Sequence, residues 1–253
     1  MSFKKLGLFQ SILKTISEQG YETPTAIQEK SIPAILNGRD VIATAQTGTG
    51  KTAAFVLPIL QQLSQGAPAK SRQVRCLILT PTRELAAQIG ENVISYSRNL
   101  NIRSAVVYGG VNTHAQIRTL LKGVDLLVAT PGRLMDLYQQ QAVRFAPLEF
   151  LVLDEADRML DMGFIHDIQK IITYLPRNRQ NLMFSATLPK TVQQLARKIL
   201  FKPLEISATP RNTAAVTISH WMYSVEKIQK IDLFIRLLEK HNWHQALIFT
   251  RTK

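Results

Sequence analysis

The chain has 253 residues, 45% of them hydrophobic, which is enough for one large core or for one domain and part of another. No apolar run approaches the roughly 20 residues of a membrane-spanning helix, and Gln10, Ser11 and Lys14 interrupt any signal-like stretch behind Lys4 and Lys5, so a soluble, cytoplasmic protein is expected. Lysine and arginine number 31 against 18 acidic residues, a formal +13, which points to a polyanionic partner.

Phe9, Ile12, Leu13 and Ile16 fall at i, i+3, i+4 and i+7 and predict an amphipathic first helix that stops at Gly20. Residues 20–28 then form a turn into a second helix, with Pro24 near its start. From there short apolar strands alternate with helical segments. The expected strands are 41–43, 76–79, 104–108, 125–129, 150–153 and 181–184. Strands apolar on both faces and separated by helices predict an α/β fold, a mostly parallel sheet covered by helices on both faces.

Between the first strand and the next helix lies Ala45-Gln46-Thr47-Gly48-Thr49-Gly50-Lys51-Thr52. Strand, tight glycine turn and helix form the context of a phosphate-binding loop, whose backbone N–H groups and helix dipole favour a polyphosphate. Gly48 and Gly50 permit close backbone approach, Lys51 reaches the β- and γ-phosphates, and the Thr52 hydroxyl is placed for Mg²⁺. Alanine at 45 departs from the usual first glycine, and taken alone these residues also read as a chance glycine turn.

Cys76, the single cysteine, excludes an internal disulfide and sits in an apolar strand, as a core thiol would. His241 and His244 form the closest histidine pair, without thiols, so no zinc site is expected. The strand 150–153 ends in Asp154-Glu155-Ala156-Asp157. An acidic residue there, downstream of a phosphate loop, suits Mg²⁺ coordination, and its neighbour Glu155 suits deprotonation of a water. By itself the segment also reads as a solvated acidic turn. Met159, Leu160, Met162 and Phe164 read as helix-face core.

Residues 207–217, with Pro210, Asn212 and several threonines, read as an interdomain linker. A strand-like 218–225, a helical 228–240 and a strand 246–250 follow, the opening of a second, incomplete α/β domain. The stretch 190–253 carries 11 basic and 4 acidic residues, +7 of the +13.

The Asp154–Asp157 tetrad spells the name of the DEAD-box RNA helicases of superfamily 2, and the chain resembles their N-terminal RecA-like P-loop domain from end to end. Residues 1–206 would be that ATP-binding domain, with 1–40 its adenine-reading region and 218–253 the start of the C-terminal domain. Phe3 and the 21–28 segment resemble the adenine-reading Q motif, and the 45–52 loop resembles motif I, in which alanine at 45 is the usual residue. Pro81, Thr82 and Arg83, the Gly109-Gly110 pair, and Thr130-Pro131-Gly132-Arg133 resemble the RNA-contacting motifs. Ser185-Ala186-Thr187 resembles motif III, and 246–250 resembles motif IV.

The resemblance implies ATP and Mg²⁺ as cofactors and RNA, gripped by its backbone, as partner; it names no protein partner and no membrane. Gln28 would read the adenine edge, Tyr21 would stack on the base and Phe3 would support that wall, although core packing also explains the two aromatics. Lys51, Asp154, Glu155, Ser185 and Thr187 would be catalytic, with Thr52 and Asp154 on the metal. Ser185 and Thr187 would couple nucleotide to RNA partly through Asp157; they also read as caps for the helix near Pro189. Thr-Pro-Gly-Arg alone is common turn chemistry. The linker and Thr250-Arg251-Thr252-Lys253 are most similar to the bacterial RhlE-type branch. Motifs V and VI, whose arginines are worth roughly 10³–10⁵ in rate, are not among these residues, so a fragment is expected. A non-catalytic RNA-binding scaffold and a superfamily 2 DNA translocase are the alternatives.

Overall fold

The computed structural model describes residues 2–207, 219 and 221–250. The chain divides into two compact units, Met1–Pro210 and Arg211–Lys253. The first unit begins with a 3₁₀ turn, Phe3–Leu6, and continues through helices α1 (Gln10–Glu18) and α2 (Ala26–Leu36). Strand and helix then alternate: β1 (Val41–Thr44), α3 (Lys51–Gln65), β2 (Val74–Leu79), α4 (Arg83–Tyr96), β3 (Ser104–Val107) and α5 (Thr113–Leu121). Next come β4 (Val124–Ala129), α6 (Pro131–Gln139), β5 (Phe150–Leu153), α7 (Ala156–Asp161), α8 (Ile165–Tyr174), β6 (Gln180–Ser185), α9 (Lys190–Ile199) and β7 (Leu204–Ser207).

The strands form one seven-stranded sheet in the order β3-β4-β2-β5-β6-β1-β7, every pairing parallel. The central strands β2, β4 and β5 are buried throughout, as a sheet covered on both faces requires. Alternation along them divides the core in two. Cys76, Ile78, Leu126, Val128, Phe150 and Val152 face α1–α4 residues such as Ile12, Phe55 and Tyr96. Leu77, Leu79, Leu127, Leu151 and Leu153 face Leu137, Met159, Ile168 and Val192. The Cys76 thiol lies wholly inside, and burial pushes its ionisation far above the usual range.

Six of the seven strands coincide with the expected ones, usually lengthened by a residue or two. The seventh, β7, is unforeseen and takes Ser207 from the expected linker. Its register is pinned at the start by the Leu204 N–H donating to the Asp40 carbonyl at 2.8 Å, while the Asp40 carboxylate accepts from Asn181 N at 2.8 Å and Phe201 N at 2.7 Å. In α1, Ile12 and Ile16 are buried as expected, but Phe9 is the N-cap and 39% exposed. The rest of the expected linker, 208–217, lies outside the described residues.

The second unit contains a 3₁₀ turn, Lys227–Gln229, and α10 (Lys230–His241), with no buried residue in either. The expected strand at 246–250 is not formed, nor is one at 221–225; residues 218 and 220 lie outside the described residues. A parallel strand needs a neighbour for its N–H and C=O groups, and none of the described residues of this unit supplies one. Among the described residues, no helix is long and apolar enough to cross a membrane.

Candidate functional site

Parallel α/β sheets present their ligand sites at the carboxyl ends of the strands, and the chemistry-bearing residues of the first unit gather there. After β1 the chain makes the 45–50 turn. The Ala45 N–H donates to the Ser185 carbonyl at 3.1 Å, so the start of the loop is anchored to the end of β6. Gly48 and Gly50 have φ of 82° and 86°, the left-handed region that only glycine enters without strain. Gln46, Thr47 and Gly48 are exposed, whereas Lys51 is buried and arches back to donate its Nζ to the Ala45 carbonyl at 2.9 Å. Thr52, half-buried, follows in the first turn of α3.

Asp154 leaves β5 with its N–H donating to the Leu79 carbonyl at 2.9 Å. Its side chain is buried, and Oδ1 has no hydrogen-bond partner. Burial pushes the carboxyl up to about 6, Lys51 pulls it down and Glu155 pushes it up, so the ammonium and the carboxyl share one field. A buried, orphaned carboxylate oxygen beside a phosphate loop is the donor that a divalent cation would satisfy. The residues therefore fit Mg²⁺. Glu155 adopts φ 51° and ψ 51°, a conformation costly for a non-glycine residue, as N-cap of α7. Its Oε2 pairs with Arg158 Nη1 at 3.2 Å.

Asp157 is latched to the end of β6. Its Oδ2 accepts from the Thr187 N–H at 2.8 Å and hydroxyl at 2.7 Å, and its own N–H donates to Ser185 Oγ at 3.1 Å. Burial raises its ionisation, but these donors outweigh it and hold the carboxyl below the usual range. Helix α9, by contrast, starts at Pro189 with no side-chain cap, so capping does not explain the two hydroxyls.

Gln28 contacts the phosphate loop through Gly50, while Phe3 and Tyr21 pack against each other. Tyr21 lies edge-on to both Phe3 and Tyr96, each at 6.1 Å between centroids, over an open recess of about 380 Å³ that it shares with residues 19–23. Phe3 is buried, as core packing requires, and packs against Tyr21. Gln28 departs from expectation. Instead of presenting a free edge it is 1% exposed, with Oε1 accepting from Thr25 N at 2.9 Å and Nε2 donating to the Gly50 carbonyl at 3.1 Å. It closes the capping box of α2 and ties that helix to the phosphate loop, leaving one N–H and one lone pair unused.

A second cleft, about 670 Å³ and open, is lined by Pro81, Thr82, Arg83, Gly109, Gly110, Thr130, Gly132 and Arg133. Pro131 is buried as the first residue of α6 and does not line it. Arg83 is 58% exposed at its side chain, near the Tyr108 ring at 5.9 Å. Arg133, expected among the RNA-contacting residues, is 11% exposed at its side chain and committed: its guanidinium donates to Gln116 Oε1 at 3.1 Å and the Val111 carbonyl at 3.3 Å, and lies 3.8 Å from Asp136. Met162, read as core, is 49% exposed at this cleft beside Phe164, while Met159 is fully buried. Met162 follows α7 and falls outside its periodicity, a signal available from the glycine at 163, which has φ 84°.

A model of the DEAD/DEAH box helicase family matches residues 25–195. The chain belongs to this family. Among the DEAD-box relatives, RhpA of Helicobacter pylori (strain B128), a DEAD-box ATP-dependent RNA helicase, is 43% identical over 253 residues, covering 100% of this chain and 50% of the relative. CshA of Listeria monocytogenes, an ATP-dependent RNA helicase, is 41% identical over 251 residues, covering 99% of this chain and 48% of the relative. The crystal structure of a DEAD box protein from the hyperthermophile Methanococcus jannaschii superposes with a TM-score of 0.78 at 35% identity, covering 94% of this chain and 63% of that one. The chain thus spans about half the length of the curated relatives it matches. The RecA-like expectation for the DEAD-box fold stands, with seven parallel strands.

Proposed function

We propose that this chain is the nucleotide-binding domain, residues 1–206, and the opening of the second domain, residues 218–253, of an ATP-dependent RNA helicase that acts in the cytoplasm. The reading is carried by one juxtaposition: the buried Lys51 ammonium bears on the ionisation of Asp154, whose Oδ1 is buried without a partner. Such an arrangement supports a Mg²⁺-nucleotide site. The relatives named above add the substrate class, since both are called ATP-dependent RNA helicases. The finer RhlE-type assignment rests on the linker and on residues 250–253, most of which lie outside the described residues, and the relatives above carry other names.

The exposed amides of the 46–50 turn and Lys51 bind the phosphates, and Lys51 exchanges its hold on the Ala45 carbonyl for a phosphate oxygen. Asp154 and Thr52 would hold Mg²⁺, directly or through water. When bound, the ion neutralises charge developing on the β- and γ-oxygens. Glu155 orients the attacking water and accepts its proton. Tyr21 stacks on adenine, and Gln28 uses its remaining N–H and lone pair on the base edge. Asp157, through Ser185 and Thr187, reports the nucleotide state to the RNA side.

RNA lies in the second cleft, where Arg83 and the Gly110 backbone meet phosphates without reading bases. Hydrolysis is coupled to RNA grip and local duplex separation once a complete second domain closes over both sites. The test is ATPase stimulation at one fixed salt by single-stranded RNA against DNA of the same sequence, measured on this chain and on one extended to the relatives' length. Greater stimulation by RNA, in the extended chain above all, is expected. Equal stimulation by DNA points to a translocase, and absence of nucleotide binding to a scaffold.

A further inference from the structure

Tyr21 and Tyr96 are 75 residues apart, yet their hydroxyl oxygens lie 2.6 Å from each other. Tyr21 is partly exposed on the turn between α1 and α2, whereas Tyr96 is 2% exposed at the last position of α4. A buried tyrosine hydroxyl needs a partner, and here the partner is the tip of the aromatic ring that faces the recess. Phe3 packs T-shaped with the same ring, so three aromatics link the 3₁₀ turn to the end of α4. A neighbouring link, Asn99 Nδ2 donating to Thr15 Oγ1 at 2.9 Å, fixes α1 beside the segment that follows α4.

We propose that Tyr96 is a positioning residue for nucleotide-base recognition, holding the Tyr21 ring in its stacking pose before the base arrives. The inference rests on the reading of Tyr21 as the base platform. A ring on a surface turn would otherwise be ordered only on binding, and that ordering would be charged to affinity. The bond to Tyr96 settles the ring's tilt in advance. Its effect should be confined to the base, because the Tyr96 hydroxyl bonds the Tyr21 hydroxyl rather than the loop that takes the phosphates.

Tyr96→Phe keeps the ring in the core and removes the hydroxyl. Calorimetric titration with ADP is expected to show Kd raised about threefold to tenfold, the scale of ordering one side chain. Inorganic tripolyphosphate, which has no base, should compete as it does against the unaltered chain. Tyr21→Phe should weaken ADP similarly, and the double variant no further than either single one, since both break one bond. Unchanged ADP affinity in Tyr96→Phe, or tripolyphosphate weakened to the same degree, overturns the inference. Tyr21→Ala separates it from its premise. If that variant weakens ADP while Tyr96→Phe does not, the platform stands without its strut. If Tyr21→Ala binds ADP normally, the platform itself is wrong.

Discussion

Thr187 directs both its backbone N–H and its hydroxyl at one oxygen of Asp157, at 2.8 and 2.7 Å, across 30 residues of sequence. The acidic segment after β5 and the hydroxyl segment after β6 are thereby one polar unit. Anything that shifts Asp157 also shifts the chain leaving β6.

That unit predicts an acid-sensitive stability term. The Asp157 carboxyl ionises below its ordinary value, because the Thr187 and Ser185 donors outweigh burial. Such a group stabilises the fold above its unfolded pKa, near 4, and the contribution fades as pH falls through the lower folded pKa. Asp157→Asn should therefore cost about 1 kcal/mol at pH 7 and progressively less below pH 4. Denaturant melts of both forms from pH 7 to pH 3 measure this. A gap that widens on acidification would contradict it.

Gln28 yields a two-sided prediction. The substitution Gln28→Ala removes the capping-box acceptor and the hydrogen bond to the Gly50 carbonyl, a loss of about 1 kcal/mol of stability. If its spare positions also read adenine, ADP affinity should fall while GDP affinity, already lower, changes little. Calorimetry with the two diphosphates decides, and equal affinity for both in the unaltered chain would remove Gln28 from base recognition. Gly50→Ala probes the same contact from the loop. A Cβ there would collide with Gln28 Nε2 at a φ of 86° that strains any non-glycine residue, so nucleotide binding should fall sharply.

Glu155→Gln preserves shape and removes the proposed base. In a chain extended to the relatives' length, ATP should still bind while turnover falls by at least about 10². Lys51→Ala should act on the other half of the site, weakening ADP through a lost charged phosphate contact of about 1.5–3 kcal/mol. Near-normal hydrolysis by Glu155→Gln would leave the acidic segment a structural latch alone.

These residues also show where sequence suffices. The buried strands of the sheet are legible because both their faces are covered, so each is a continuous apolar run such as Phe150–Leu153. Strand β7 is not, because it alternates buried Ile206 with exposed Glu205 and Ser207 at the sheet edge. The 246–250 run is strand-like in composition only, since strands are made by partners. At the site, residue types are legible and their commitments are not. Arg133 reads as a cation in any sequence; that Gln116 and the Val111 carbonyl hold it is a tertiary fact. Tyr96 carries no sequence signal of a role, and its hydroxyl acquires meaning only beside Tyr21.

The unequal states of the two cleft arginines give the last prediction. Arg83 projects its side chain at 58% exposure beside Gly110 and pairs at the surface with Glu84 at 3.3 Å. That ion pair is exposed on both sides and therefore weak, so Arg83 can exchange it for a phosphate. Arg133 instead spends its guanidinium on the Val111 carbonyl and Gln116, shaping the turn after Gly110. For single strands, each phosphate contact contributes about 0.7 to the slope of log K against log salt. Arg83→Ala should therefore weaken RNA uniformly across sequences and lower that slope by about 0.7. Arg133→Ala should weaken RNA as well, with a much smaller change in slope, because it loses turn geometry more than a counterion-releasing charge. Arg133→Lys should not restore affinity, since an ammonium lacks the planar fork that spans two acceptors. Titrations of a short single-stranded RNA at four salt concentrations, with nucleotide saturating, separate the two roles. Equal slope changes for both arginines would mean that Arg133 leaves its partners to bind phosphate directly.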